Sequence, residues 1–149
     1  MYQHILISTD GSELARKGLD HGLALAKAIG AKATIITVTE ILLPYVVGGG
    51  EAGAFSNYNY QEYLDIQKDG AQRILASAKE EARRIGLEAE TLCVEQSSPA
   101  QSIVETAGER RCDLIAMSSH GRRGVRRLML GSVASEVLSL SEIPVLVVR

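Results

Sequence analysis

The sequence predicts a doubly wound α/β fold, a parallel sheet with helices on both faces. Three observations predict it. Five short apolar runs alternate with four helical patterns along the 149 residues. Most of the runs are rich in Ile and Val and lack clean polar alternation, which suits strands covered on both sides. Most helical patterns carry a recognisable start or stop signal. Such alternation builds a parallel sheet through right-handed crossovers. The length corresponds to a single domain spanning residues 1–149. Hydrophobic residues make up 46% of the chain, enough for a core, and with few aromatics that core must be Val, Ile, Leu and Ala.

The first strand is His4–Ser8. A helix follows from near Ser12 and stops at Gly30, which accommodates the left-handed residue that ends many helices. The second strand is Ala33–Val38. The stretch from Ile41 to Asn57 contains Gly48-Gly49-Gly50 and Gly53. It is too long and glycine-rich for a tight connection. It reads either as a surface insertion or as a lid, because it leaves the C-terminal end of a strand. The second helix runs from about Tyr60 to Gly86. Leu64, Ala71, Ile74, Leu75, Ala78, Ala82 and Ile85 recur at helical spacing, and Asn59 with Glu62 has the form of a capping box. The third strand is Glu88–Val94. The third helix opens at Ser98-Pro99-Ala100-Gln101, with Ser as cap, Pro at the first helical position and Gln reaching back. The fourth strand is Leu114–Met117. The fourth helix begins near Ser132, with Val133, Val137 and Leu140 on one face. The last strand is Pro144–Val148.

The net charge of −2 argues against nucleic acid as a partner. No apolar run is long enough to span a bilayer. The N-terminus is a short strand-like run without the basic start and longer apolar stretch of a signal peptide, so a cytoplasmic protein is expected. Cys93 and Cys112 stand apart with no metal-binding or redox spacing, and read as small buried hydrophobes.

One segment concentrates chemistry. After the fourth strand come Ser118-Ser119-His120-Gly121, a basic stretch with Arg122, Arg123, Arg126 and Arg127, and then Gly131-Ser132 at a helix start. Helix N-termini and glycine-containing turns present unsatisfied N–H groups, so this order suits an anion. The first strand closes with Ser8, Thr9 and Asp10. In doubly wound sheets ligands bind beyond the C-terminal strand ends, where the strand order reverses. Neither G-x-x-x-x-G-K-[ST] nor an early G-x-G-x-x-G is present. No water-activating base or second acidic metal ligand can be named, so the apparatus of fast phosphoryl transfer is not visible.

These motifs resemble the universal stress protein family over essentially the whole chain. The resemblance lies in His4-Ile-Leu-Ile-Ser-Thr-Asp-Gly-Ser-Glu13, Ala33–Val38, Ser119-His120-Gly121-Arg-Arg-Gly124, Leu128-Met-Leu-Gly131-Ser132-Val133 and Pro144–Val148. ATP-binding members carry glycine, two residues, glycine, nine residues, then glycine followed by Ser or Thr. Here Gly121 and Gly131-Ser132 fit, while Ser118 replaces the first glycine, and a positive φ there would be costly. The resemblance implies strand order 3-2-1-4-5, with Asp10 facing Met117 and Ser118 across the crevice between strands one and four. It implies ATP, or ADP or AMP, as ligand. The Val38 backbone would contact adenine; Gly121, Gly131, Ser132 and Val133 would give N–H groups to phosphates. Arg122 would add charge, and His120 would orient the loop. Asp10 would accept from ribose or hold Mg²⁺; its other reading is a cap for the first helix, with Glu13 three residues on. Many members dimerise through the last strand, and Val145 to Val148 form an edge without protective charges. A regulatory nucleotide-binding module is therefore expected, against a slow ATP hydrolase or a dimeric interaction protein that has lost the nucleotide.

Overall fold

The structure is a computed structural model that describes residues 1–40, 57–95, 97–120 and 130–149. Its elements are β1 (His4–Ser8), α1 (Glu13–Ile29), β2 (Lys32–Val38), α2 (Asn57–Arg84), β3 (Ala89–Val94), α3 (Pro99–Glu109), β4 (Leu114–Ser118), α4 (Ser132–Leu140) and β5 (Val145–Val148). The strands form one sheet in the order β3-β2-β1-β4-β5, every neighbouring pair parallel. The α/β class and the strand order are those expected. Among the described residues no helix is long and apolar enough to cross a membrane.

Strand alternation divides the core in two. Ile5, Ile7, Ile35, Leu114 and Ala116 point to one face, where Leu19, Leu23 and Ala26 of α1 and Leu75, Ala78 and Ala82 of α2 cover them. Leu6, Ile36, Ile115 and Met117 point to the other, under Ala100, Ile103 and Ala107 of α3 and Ala134 and Val137 of α4. Two crossovers carry the chain outward from β1 to β3 on the first face. The α3 crossover then returns it past β1 on the opposite face, so β4 lands beside β1 and the winding reverses there.

Helix ends follow local chemistry, with corrections. The Ser12 side chain accepts from Ala15 N–H to cap α1, and Gly30 closes it at φ 70°. The α2 helix starts at Asn57, so Asn59 lies inside its first turn and cannot be the expected cap. Gly86, at φ 76°, follows its end, with Gly86 N–H bonded to Arg83 O and Leu87 N–H to Ala82 O. Ser98 makes no side-chain cap on α3. Gln101 does not reach back but donates forward to Glu105 Oε1 at 2.9 Å, an i,i+4 partner. In α4, Val137 is buried and Val133 packs beside it, whereas Leu140 is 51% exposed. The helix ends at Leu140, and Ile143 covers the core there instead. Cys112 is buried and Cys93 half-buried. Burial pushes the Cys112 thiol up to about 11 and raises that of Cys93.

Glycines in α1 set how closely that helix approaches the sheet. A Cβ on Gly18 would stand 2.5 Å from Ser118 N and 2.8 Å from Met117 C. One on Gly22 would lie 3.0 Å from Ile7 Cδ1 and 3.2 Å from Ala116 Cβ. The helix therefore rests its backbone on β4 and β1 next to the reversal. In the sequence these two residues are marked only by their Gly-x-x-x-Gly spacing inside a helical pattern.

Candidate functional site

The crevice arises because β1 and β4 part company. Their pairing runs from Ile5 with Leu114 to Ile7 with Ala116. Beyond that, Thr9 N–H bonds to Ile36 O of β2 at 3.0 Å, while Ser119 N–H bonds to Val148 O of β5 at 2.7 Å. One chain leans away to each side, and the gap opens at the topological switch point.

On the β1 side, Ser8 is in register with Ile36. Thr9 is buried, and its carbonyl accepts from Thr37 Oγ1 at 2.8 Å. The chain turns at Asp10-Gly11-Ser12, where Asp10 Oδ1 accepts from Ser12 N–H at 2.9 Å. This is an Asx turn. Ser12 Oγ, not Asp10, accepts from Ala15 N–H at 3.1 Å, so the reading of Asp10 as helix cap is corrected. A cap must immediately precede the first helical residue to reach its target N–H, and Asp10 lies too far upstream. Val38 ends β2 opposite Val94 and turns its side chain into the α3/α4 core. It can offer a polar ligand backbone groups alone.

On the β4 side, Met117 is buried in the same core. Ser118 is the last strand residue, paired with Val148. Among the described residues Arg111 is the sole non-glycine with positive φ, so serine at 118 carries no left-handed strain. Its hydroxyl donates to His120 O at 2.6 Å. Ser119 Oγ is bonded to His120 Nδ1 at 3.0 Å, so both the carbonyl and the ring of His120 are held. Gly131 caps α4 without a side chain. Its N–H donates to Ser119 O at 2.8 Å, which turns that donor inward and away from the phosphate role expected of it. Glycine is needed here for space: a Cβ would come within 3.0 Å of Ser119 O. Ser132 is exposed at the helix start, and Val133 packs its side chain on the core. Gly121, Arg122, Arg123, Arg126 and Arg127 lie outside the described residues, as does Ile41–Asn57 except for its last residue.

Thus Ser8, Thr9, Asp10, Val38, Met117, Ser118, His120, Gly131, Ser132 and Val133 all lie at the C-terminal end of the sheet or at the helix start beyond it. Ser119, absent from the expected set, joins β5, His120 and α4. Among the described residues no three His, Cys, Asp or Glu side chains gather as a metal-binding group. Of the described residues expected at the site, Asp10 is the carboxylate that could hold an ion such as Mg²⁺, which commonly takes one or two carboxylates and fills its remaining positions from phosphate and water. An α4 N-terminus without a side-chain cap leaves its positive end open to an anion.

A sheet of this order with a crevice at its reversal defines a doubly wound α/β protein. The universal stress protein family model matches residues 1–149, and the chain belongs to that family. It is 34% identical to universal stress protein YxiE of Bacillus subtilis, with all of both chains covered. It is 32% identical to universal stress protein MJ0531 of Methanocaldococcus jannaschii, covering all of this chain and 83% of that one. Among solved structures, that of MJ0577 superposes with a TM-score of 0.79 at 26% identity, covering 99% of this chain and 96% of the other. A universal stress protein in complex with cAMP superposes at 0.68, also with 26% identity, covering 99% and 97%.

Proposed function

We propose that this protein binds an adenine nucleotide, ATP or its products ADP and AMP, in the crevice between β1 and β4, and acts as a regulatory module. The observation that carries the reading is the divergence of Thr9 and Ser119 at the reversal, with Asp10 on one lip and the α4 N-terminus on the other. The related structure holding cAMP supports adenine as the base. The Val38 backbone contacts the base, and the N–H groups of Ser132 and Val133 face the phosphates. Asp10 binds ribose or holds Mg²⁺, which when bound neutralises phosphate charge. Ser118 and Ser119 shape the loop through His120. Gly121 and Arg122 contribute to the phosphate side, as the family pattern implies. Turnover is slow or absent, because no residue is assigned as a base to activate water.

Nucleotide released from protein purified without added ligand, and calorimetric titration with ATP and GTP in Mg²⁺, test the reading. Saturable binding of ATP in preference to GTP is expected. No saturable heat up to millimolar ATP rejects it. We further propose a homodimer through β5, which among the described residues ends the sheet and pairs with β4 alone. Its Leu146 packs on one face and its Val145 and Val147 on the other, and the strand itself, Val145–Val148, contains no charged residue. Because Val147 packs on the core, Val147→Glu is sized by light scattering alongside circular dichroism, a monomer with native ellipticity being the expected outcome and loss of ellipticity marking unfolding instead; a wild-type mass of one chain at tens of micromolar rejects the dimer.

A further inference from the structure

We infer that Ile74 of α2 is a positioning residue for Asp10. Within the turn that carries Asp10, Ser12 N–H donates to Asp10 Oδ1 at 2.9 Å and Gly11 N–H to Thr9 Oγ1 at 3.3 Å. Gly11 at its centre is exposed and sits at φ 77°. A Cβ there would lie 2.6 Å from Ile74 Cγ1, 2.8 Å from Cδ1 and 3.4 Å from Cγ2. Glycine is thus required twice, for its left-handed backbone and for the room Ile74 takes up.

Ile74 is not an ordinary core residue. The core-facing residues of α2 are Ala71, Leu75, Ala78 and Ala82, and Ile74 belongs to neither core cluster. Its packing is directed at the turn. Seven residues on, along the same stripe of the helix, Glu81 bonds Arg16 of α1, with Arg84 3.6 Å away. Glu81 is nearly buried, its side chain 13% exposed. The two helices both descend from the C-terminal edge of the sheet, so Ile74 meets the turn at the top and Glu81 meets α1 lower down. Through Ile74 the α2 helix fixes the turn that carries Asp10. The functional half of this inference rests on the nucleotide reading; the structural half does not.

Ile74→Ala is compared with Leu75→Ala, which removes a buried side chain of the same helix that faces the sheet. In ligand-free protein, exchange of the Ser12 amide relative to β1 amides should quicken by about tenfold in Ile74→Ala and stay unchanged in Leu75→Ala. In calorimetry, the gain in ATP affinity on replacing EDTA with Mg²⁺ should shrink by about fivefold to tenfold in Ile74→Ala alone. Ile74→Val, which keeps both branches at Cβ, should restore most of both readouts. Unchanged Ser12 exchange together with an unchanged Mg²⁺ gain in Ile74→Ala overturns the inference, as does an equal effect from Leu75→Ala. Wild-type protein that binds no ATP overturns the nucleotide reading instead, and Ser12 exchange still decides whether Ile74 holds the turn.

Discussion

Alanine at Gly18 should be markedly destabilising, although alanine favours helices. The added Cβ would meet backbone, with Ser118 N at 2.5 Å and Met117 C at 2.8 Å. Comfortable contact between such atoms begins at about 3.5 Å, so α1 must retreat from β4 by roughly 1 Å. Overpacking of this kind costs about 1–3 kcal/mol. Helix propensity returns about 1 kcal/mol. Neither struck group can rotate aside, so the cost sits at the upper end and the net loss is about 2 kcal/mol. In a chain of this size that lowers Tm by about 4–8 °C. Two other helix glycines supply internal standards. At Gly22 the Cβ meets the Ile7 side chain at 3.0 Å, which can yield, so Gly22→Ala should lie between neutral and about 1 kcal/mol destabilising. At Gly70 nothing lies within 4 Å, and Gly70→Ala should stabilise by up to about 1 kcal/mol. Urea midpoints of the three variants should rank 70 above 22 above 18. A Gly18→Ala protein as stable as Gly70→Ala would refute the packing argument.

Other positions give independent checks. Gly131→Val should lower ATP affinity by at least about tenfold with the fold intact, because the side chain collides with Ser119 O and displaces the first turn of α4; a folded variant that binds as before would disprove the assigned phosphate side. Arg111→Gly should stabilise by about 0.5–1 kcal/mol in urea melts, since Arg111 sits at φ 54° after α3 and glycine relieves that conformation; a loss of stability would count against it. Burial raises the Asp113 carboxyl, but N–H donors from His4 at 3.0 Å and Gln3 at 2.8 Å outweigh it and hold the group below its usual range. Its stabilisation is therefore present above the unfolded value of about 4 and is lost as pH falls through the lower native value. Asp113→Asn should be less stable than wild type at neutral pH, with the gap closing below about pH 4; a gap independent of pH would contradict this.

The strands and the stops at Gly30 and Gly86 were legible because they depend on local chemistry: unbroken Ile and Val runs and left-handed glycines. The order 3-2-1-4-5 was not written in periodicity; it came with the family resemblance. The start of α2 was misjudged because Asn59 and Glu62 satisfy a cap pattern that the helix overruns. In the candidate site, the sequence identified the segments that meet but not how their bonds are shared. Gly131 N–H turns inward to Ser119 O, and Ser119, although part of the motif, had no role of its own in the sequence, because which carbonyl faces which donor depends on the path of β5. Gly18 and Ile74 were invisible as site supports, since their partners lie on other elements far along the chain.

The pairing of β1 with β4 has a consequence for assembly. The β1–β2 and β2–β3 contacts join successive strands, whereas Ile5 and Leu114 meet only when the chain closes a loop containing everything between them. Long loops delay such pairings, because their closure entropy is lost before any contact rewards it. The crevice does not exist until that closure is made. A ligand lodged in it therefore favours the completed chain over every partly assembled one, by an amount that grows with the ratio of its concentration to its dissociation constant. Occupancy becomes a report on whether the two halves of the molecule have been joined.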